Sequence, residues 1–367
     1  MPINYEPING QTDVATTRTL LHEVIPLTGT IVSGTYGVFP NDENIKNYNH
    51  GMFQSVYDYP FLSSSANHIF DLTVGYDESS VLSGSLVPTQ RAKKINMYNQ
   101  MSQVLLGYTG STNRVRRFES DLTLDESPLF TMKEVFIVNF SRLLSKDQIK
   151  KGSFSIGVKT GSYFSSVAYA NFITGGIATY SDSAVTENSN AASTISGDYG
   201  VLSGAQGVGG VVFYQAGIAV LTASIFISGS GKATAPPARE TPGLYKAGAV
   251  IFNTVEELLV SSSISGACDA ARQRIHNIQF NNSTEINSTV YFCRAPHNKF
   301  NYSSNPTYLS SSSVRVKNNT RANPPLAYVT TIGLYNSANE LLAVAKLSEP
   351  LRKDPTNELT LRVRLDY

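Results

Sequence analysis

The chain has no tryptophan, only two cysteines and few charged residues. Two cysteines, Cys268 and Cys293, are too few for a disulfide-stabilised secreted protein of 367 residues, so we expect both to be reduced. Without tryptophan no carbohydrate platform is recognisable, which disfavours a glycan-binding role without excluding it. Charged residues make up 16% of the chain, against about 25% in average domains. A surface this poor in charge suits a subunit in contact with neighbours, although a merely polar, uncharged β-protein surface is the alternative.

The charges that are present almost cancel. Lys and Arg number 29, Asp and Glu number 28, and the formal net charge is +1. A balanced chain has no long-range field to attract nucleic acid or an anionic membrane, so we expect neither as a partner. No N-terminal stretch has the pattern of a signal peptide, and no window approaches 18 uncharged apolar residues. We therefore expect synthesis and assembly in the cytoplasm.

Motifs for catalysis, cofactors and metals are not found. Gly229–Thr234 resembles a phosphate-binding loop, but Phe226 and Ala233 stand where the motif needs glycine and Ser or Thr. The five histidines lack metal-ligand spacing, and no Gly-x-Ser-x-Gly sequence accompanies the serines. A site assembled from distant residues stays open. The sequence alone predicts a non-enzymatic protein without cofactor or metal.

The segment 359–367 alternates strictly between apolar and polar residues. Leu359, Leu361, Val363, Leu365 and Tyr367 share one face, because side chains of a strand alternate with a period of two. This pattern predicts a strand with that face buried, including Tyr367. Just upstream, two apolar segments flank a four-residue polar loop and predict a hairpin: 328–335, 336–339 and 340–347.

Other local patterns predict short helices and strands. Apolar spacings of three and four predict a helix over 89–106 that Thr89 caps and Gly107 ends. Ser145–Gln148 and Thr254–Glu257 spell capping boxes, the first for a helix ending at Gly152 and the second for a helix running toward Ile275, kinked at Gly266. Low complexity predicts an exposed loop over 183–196 and a linker over 234–243. Strands are predicted over 68–76, 132–140, 154–159 and 211–227.

These elements predict an α+β fold, mainly β, with mostly antiparallel sheets, a few short helices and an extended N-terminal arm. We predict four regions along the chain. They are an extended arm or irregular lobe over 1–68, an α+β core over 69–162, a Gly/Ser-rich β insertion and linker over 163–247, and a C-terminal helix plus β domain over 248–367.

Several phrases of the sequence resemble virion structural proteins of large contractile-tailed bacteriophages. They are 301–308, 328–336 and 340–348, together with 93–101 and 211–222. The resembling proteins are mainly of the tail and baseplate type. The resemblance implies a virion protein made in the host cytoplasm, whose partners are other virion structural proteins and copies of itself.

Eight residues are candidate interface residues. The basic cluster Arg114, Arg116 and Arg117 lacks the interleaved aromatics of a nucleic-acid surface, so a salt bridge to a neighbouring subunit, or to Asp121 and Asp125, explains it better. An aromatic segment and the polar face of the last strand supply the others: Phe300, Tyr302, Tyr308, Arg362 and Arg364. For the aromatics, packing of irregular chain against a sheet is the alternative to a partner contact.

The sequence therefore predicts a structural subunit of a tailed-phage virion, in the baseplate or tail, present in multiple symmetric copies. A neck or capsid position stays open. Two rival functions are a host-receptor-binding or fibre-attachment protein and a wall-degrading enzyme. Against the receptor-binding function are the missing fibrous repeats and tryptophan platform.

Overall fold

The structure is a computed structural model that describes residues 5–32, 42–84, 88–109, 114–159, 162–163, 173–174, 177–182, 192–226, 255–303, 306–310, 313–314, 316 and 320–367. It is mostly antiparallel β-sheet with a few helices, which confirms the predicted fold class. The predicted linker over 234–243 and most of the predicted loop over 183–196 lie outside the described residues.

The chain divides into two compact units. The smaller unit joins Met1–Leu20 with Glu285–Tyr367, and the larger unit is Leu21–Thr284. Both divisions fall inside long strands, β1 (Val14–Thr28) and β15 (Ile275–Ala295), which therefore contribute to both units. The four predicted regions stay a prediction.

The larger unit is built on one sheet with the order β15-β7-β10-β12-β13-β14-β5-β4-β3-β2. β11 pairs with β12 and β6 with β15, while β8 and β9 pair with each other. Residues 45–57 of the predicted arm form two of the sheet strands, β2 and β3. The strand bounds are β2 (Ile45–Asn47), β3 (Gln54–Tyr57), β4 (His68–Tyr76), β5 (Glu134–Phe140), β6 (Gln148–Ile149), β7 (Ser155–Lys159), β8 (Ser162–Tyr163), β9 (Ile173–Thr174), β10 (Ile177–Ser181), β11 (Ala192–Thr194), β12 (Gly197–Gly204), β13 (Gly207–Phe213) and β14 (Ile218–Thr222).

The central strands of this sheet are buried on both faces. In β5, Phe136 and Val138 belong to one apolar cluster, whereas Val135 and Ile137 belong to a second. Successive side chains of a strand point to opposite faces, so the two clusters cover the two sides of the sheet. This burial explains why residues 135–138 are all apolar and do not alternate with polar residues.

Five helices are described: α1 (Gly29–Val32), α2 (Pro88–Leu105), α3 (Arg142–Ser145), α4 (Val255–Ser261) and α5 (Ile264–Arg274). The helix predicted over 89–106 is α2, but it begins at Pro88, so Thr89 lies inside it and is not its cap. Gly107 follows with φ +80°, the left-handed conformation that ends a helix most readily at glycine. In the described part of the chain, no helix is long and apolar enough to span a membrane.

α2 packs closely on β4 at a glycine. A Cβ atom on Gly75 would lie 2.7 Å from the Tyr98 backbone nitrogen and 2.8 Å from the Lys94 carbonyl oxygen. Only a residue without a side chain allows this approach of helix to strand. Lys94 is fully buried beside it, and its amine donates to the carbonyls of Leu259 and Ser262, which ties α2 to the end of α4.

Two capping-box predictions fared differently. The first was wrong: Ser145 ends α3, and Lys146 follows with φ +54°, which stops the helix. The chain then pairs with β15 through β6, and this tertiary pairing outcompetes a local helix. The second was close, since the segment forms α4 and α5. The break lies at Ser262 and Ser263 rather than at Gly266, because the Ser263 side chain accepts a hydrogen bond from the Gly266 N–H and caps α5.

Two further predictions need correction. Residues 192–194 of the predicted loop form β11, which pairs with the start of β12. Residues 223–226 of the predicted strand form a 3₁₀ helix, because the chain leaves the sheet after Thr222. Residues 211–222 themselves form two strands joined by a turn at Gly217, which has φ +68°.

α5 carries a buried ion pair. Arg272 is fully buried, and its guanidinium donates to Asp269 Oδ1 over 2.8 Å and to the Val32 carbonyl over 2.8 Å. Gln54 on β3 completes the group, donating to Asp269 Oδ1 over 2.7 Å and accepting from Arg272 Nε over 3.2 Å. These polar groups satisfy one another inside an apolar environment and join α5 to β3 and α1.

The smaller unit contains the first part of β1, the second half of β15 and, among its described residues, five further strands and one 3₁₀ turn. Its strands are β16 (Leu309–Ser310), β17 (Ser313–Val314), β18 (Ala327–Tyr335), β19 (Leu341–Lys353) and β20 (Leu359–Asp366), and residues 306–308 form a 3₁₀ turn. β20 pairs with β15, and Asp13 joins the same strand. The Asp13 carbonyl accepts from Phe292 N–H over 2.8 Å, and its carboxylate pairs with Arg294 over 2.8 Å.

β20 confirms the predicted strand and most of its facing. Val363 is 6% exposed, and Leu359, Leu361 and Leu365 are half-buried, whereas the intervening polar residues are exposed. Tyr367 corrects the prediction, because it lies after the end of the strand and is 75% exposed. Its backbone N–H and carbonyl still pair with Asn287, so the backbone is held although the ring is not covered.

Candidate assembly interface

The hairpin of β18 and β19 has a well-defined turn. The Asn336 N–H donates to the Glu340 carbonyl over 3.0 Å at the base of the loop, and Asn336 Oδ1 accepts from the N–H groups of Ala338 and Glu340. Asn339 adopts φ +65°, a conformation that asparagine tolerates better than most residues. The structure thus confirms the predicted hairpin, but its loop runs over 336–340 and is one residue longer than predicted.

The two faces of this hairpin differ in burial. Leu334 is buried, and its cross-strand partner Ala343 is half-buried, as are the next pair, Ile332 and Ala345. These four side chains share the covered face. β19 extends farther than predicted, to Lys353, and its exposure alternates along most of its length.

The opposite face is exposed and apolar. It carries Tyr335 opposite Leu341 and Gly333 opposite Val344, and these three side chains are 44, 51 and 52% exposed. A Cβ atom on Gly333 would lie 2.9 Å from the Tyr335 ring and 3.2 Å from Leu341 Cδ1, so both side chains lie over the glycine. Leu342, 68% exposed, stands at a register shift beside them.

The edges of the hairpin are also open. Among the described residues, β18 and β19 pair only with each other, so the outer backbone N–H and carbonyl groups of each strand have no strand partner. Open edges and exposed apolar side chains are both features that proteins usually cover. We call the surface formed by Gly333, Tyr335, Leu341, Leu342 and Val344 the hairpin patch.

A buried lysine anchors the base of the hairpin. Lys353 is fully buried, and its amine donates to Asn301 Oδ1 over 2.7 Å and to the Asp354 carbonyl over 3.0 Å. Hydrogen bonds from the Thr356 hydroxyl and N–H hold the pKa of the Asp354 carboxyl below its usual value, so this carboxylate stays ionised. The hairpin patch is therefore presented on a fixed base.

The three predicted arginines of the larger unit are engaged within the chain. Arg114 pairs with Glu126 over 2.8 Å, and Arg117 pairs with Asp77 over 3.2 Å. Arg116 donates to the carbonyls of Tyr108 and Leu124. Asp121 and Asp125, suggested from the sequence, are not their partners.

The aromatic segment of the smaller unit is mostly used for packing. The Tyr308 hydroxyl donates to the Leu326 carbonyl over 2.6 Å, directly before β18. Phe300 is half-buried with φ +58°, and the neighbouring Asn301 holds Lys353. Tyr302 is 44% exposed. Of these aromatics, Tyr302 alone keeps a largely free ring, and its interface role stays a prediction.

Arg362 and Arg364 both lie on the exposed face of β20, as predicted. Arg364 donates to Asp366 over 2.7 Å and to the Ser288 hydroxyl over 3.0 Å. Charged side chains on an edge strand hinder pairing with another chain, which is one of the ways in which proteins protect such an edge. The charges on β20 therefore disfavour pairing of this edge with another chain, whereas the hairpin patch carries no charged residue.

The hairpin patch was not among the predicted site residues. The sequence held a signal for it, since residues 341–345 are all apolar and do not alternate with charge. A two-stranded ribbon buries an apolar face only where another layer of the protein packs on it. Apolar residues that occupy both faces, as in 341–345, therefore indicate that one face is left for a partner.

Comparison of the chain with protein-family models, curated proteins and solved structures gave no match. Chemically, the hairpin patch offers aromatic and aliphatic contact area, and its edge strands have no further strand partner among the described residues. Such a surface is suited to another polypeptide, either face to face or by strand addition.

Proposed function

We propose that this chain is a non-enzymatic structural subunit of a tailed-phage virion, a component of the baseplate or tail assembled in multiple copies. The hairpin patch carries the proposal that the chain is an assembly subunit. The proposed location in a virion, and within it in the baseplate or tail, rests on the resemblance of five segments to virion structural proteins. The partners are copies of this chain and other virion proteins.

The physical reason is the stability of the hairpin. On the outer face of the ribbon the Tyr5 ring contacts the Tyr335 ring, with centroids 4.9 Å apart, whereas Leu341, Leu342 and Val344 are each more than half exposed. A two-stranded ribbon with this much exposed apolar area is marginal in water, because it needs a third strand or a packed layer on that face. The hydrogen bonds of Lys353 nevertheless fix the base of the ribbon, so its outer face is held in position for contact with a partner. A neighbouring subunit that covers the patch buries apolar area and satisfies the open edges together.

We predict that Leu342→Asp weakens assembly without unfolding the protein. Leu342 is 68% exposed, so the free energy of unfolding should change by no more than about 0.5 kcal/mol. A carboxylate in a covered interface is desolvated, so self-association should weaken at least about tenfold. Sedimentation velocity measures the association, and urea unfolding measures the stability.

Leu62→Asp is the matched control, since Leu62 is 89% exposed in a loop of the larger unit. It should alter neither association nor stability. Equal association of the Leu342→Asp protein and the unsubstituted chain would contradict the role of the hairpin patch, as would an equal loss from Leu62→Asp.

The virion itself is tested with purified particles. Mass spectrometry of density-purified particles should detect this chain in several copies per particle, and its absence there would reject the proposal. Immunogold labelling separates positions: labelling within the tail-end plate is expected, whereas labelling at fibre tips would indicate the receptor-binding or fibre-attachment alternative, and labelling at the head or neck a capsid-associated protein.

A further inference from the structure

Three carboxylates meet in the loop between α2 and β5 in the larger unit. One oxygen from each of Glu119, Asp121 and Asp125 lies within 4.8 Å of the other two. Glu119 and Asp121 are two residues apart in the sequence, and Asp121 and Asp125 are four apart, with Thr123 midway between the two aspartates. Three negative charges at this distance repel one another strongly unless a cation or a proton compensates them.

Glu119 is the unusual member. It is 3% exposed, and its Oε2 atom is buried with no hydrogen-bond partner, whereas Oε1 accepts from the Glu126 N–H over 2.7 Å. A buried carboxylate oxygen without a donor is costly, and native proteins usually supply a partner from the chain, from water or from an ion. Burial, together with Asp121 and Asp125, raises the pKa of Glu119 to about 7.

In the described part of the chain, no cationic side chain compensates the three carboxylates. Among the described residues, none of the three forms an ion pair with Lys, Arg or His, although arginines lie close in sequence. Arg114 is paired with Glu126, Arg117 with Asp77, and Arg116 with backbone carbonyls. The nearby positive charges are thus committed elsewhere.

The loop that carries the carboxylates is held in place by the rest of the unit. At its base, the Tyr98 hydroxyl accepts from Phe118 N–H over 3.0 Å and donates to the Met132 carbonyl over 2.9 Å. Farther out, the Tyr199 hydroxyl donates to the Thr123 carbonyl over 3.3 Å. The acidic oxygens are therefore positioned before any ligand arrives, which lowers the entropic cost of binding.

We propose that Glu119, Asp121 and Asp125 bind a hard divalent cation, with calcium favoured over magnesium. All three ligands are carboxylate oxygens, the donors that hard cations prefer. Calcium accepts irregular geometry and six to eight oxygens, so water at the exposed Asp125 side completes its shell, whereas magnesium demands near-ideal octahedral geometry. The bound ion fastens the loop over 119–126.

Calorimetric titration of the full chain with CaCl2, after treatment with EDTA and dialysis, tests the site. We expect one ion per chain with a Kd between about 10⁻⁷ and 10⁻³ M, and a higher Tm in calcium than in EDTA. Asp125→Asn and Glu119→Gln should each weaken binding at least about tenfold, because affinity follows the charge of the ligands. MgCl2 should bind more weakly than CaCl2.

Glu126→Gln is the matched control, because it removes one charge from the same loop but no ligand of the cluster. It should change the calcium affinity by no more than about twofold, since its charge is already paired with Arg114. Failure of the unsubstituted chain to bind calcium or magnesium at millimolar concentration would overturn the proposal. So would binding that Asp125→Asn and Glu119→Gln leave intact. A calcium-insensitive protein in which Glu119→Gln raises Tm would show instead that Glu119 keeps a proton.

Discussion

Asp269→Ala is expected to lower the free energy of unfolding by about 3 kcal/mol, because it removes the carboxylate in direct contact with a buried guanidinium and leaves only the longer ion pair with Asp42, at 3.7 Å. Arg272 is fully buried, and its carboxylate partner lies one helical turn away at 2.8 Å. The same substitution removes one of the two acceptors of the buried Gln54 amide, which then keeps only its hydrogen bond to Asn47 Oδ1. Urea unfolding followed by circular dichroism measures the change.

Two comparisons make this prediction specific. Glu358→Ala removes a carboxylate from an exposed pair with His297, whose side chains are 68 and 64% exposed, and should cost no more than about 1 kcal/mol. In a double-mutant cycle, Arg272→Met combined with Asp269→Ala should cost less than the sum of the single substitutions, by about 0.5–3 kcal/mol. A loss at Asp269 no larger than the loss at Glu358 would contradict the prediction.

Val363→Asp is expected to prevent folding of the smaller unit. Val363 is 6% exposed in β20, opposite Tyr291 of β15, and no cationic side chain pairs with this position in the described structure. Burial of an unpaired carboxylate costs several kcal/mol, comparable with the whole stability of a domain. Soluble yield and protease resistance of residues 285–367 measure the outcome.

Arg362→Ser supplies the control on the same strand. Arg362 is exposed on the opposite face, so its substitution should change the free energy of unfolding by no more than about 0.5 kcal/mol. A soluble Val363→Asp protein with a protease-resistant smaller unit would refute the buried facing of Val363.

Patterns that depend on neighbouring residues were predictable from the sequence. β20, the hairpin loop and α2 all follow from local periodicity and turn chemistry, and each lies within one or two residues of its predicted bounds. The facing of Tyr367 was not predictable, because alternation tells which side a residue takes and not whether that side is still covered at the strand end.

Features that depend on distant residues were missed for a physical reason. Arg272 contacts Gln54 and Val32 only in the folded protein, and no local sequence pattern around any of the three residues predicts this contact. Ser145 begins a well-formed capping box, yet pairing with β15 decides its conformation. In the acidic loop, Asp121 and Asp125 were noticed as a pair, but the burial of Glu119 depends on the hydrogen bonds of Tyr98 with Phe118 and Met132.

The strand contact of Asp13 with Phe292 and Arg294 has a consequence for biosynthesis. Proteins emerge from the ribosome N-terminus first, and domains generally fold as units in that order. Asp13 cannot form this contact until residues 292–294 have emerged from the ribosome, by which time the whole of the larger unit has emerged as well. The hairpin patch lies later still, at residues 333–344. A chain released early would therefore contain the residues of the larger unit but not the hairpin patch.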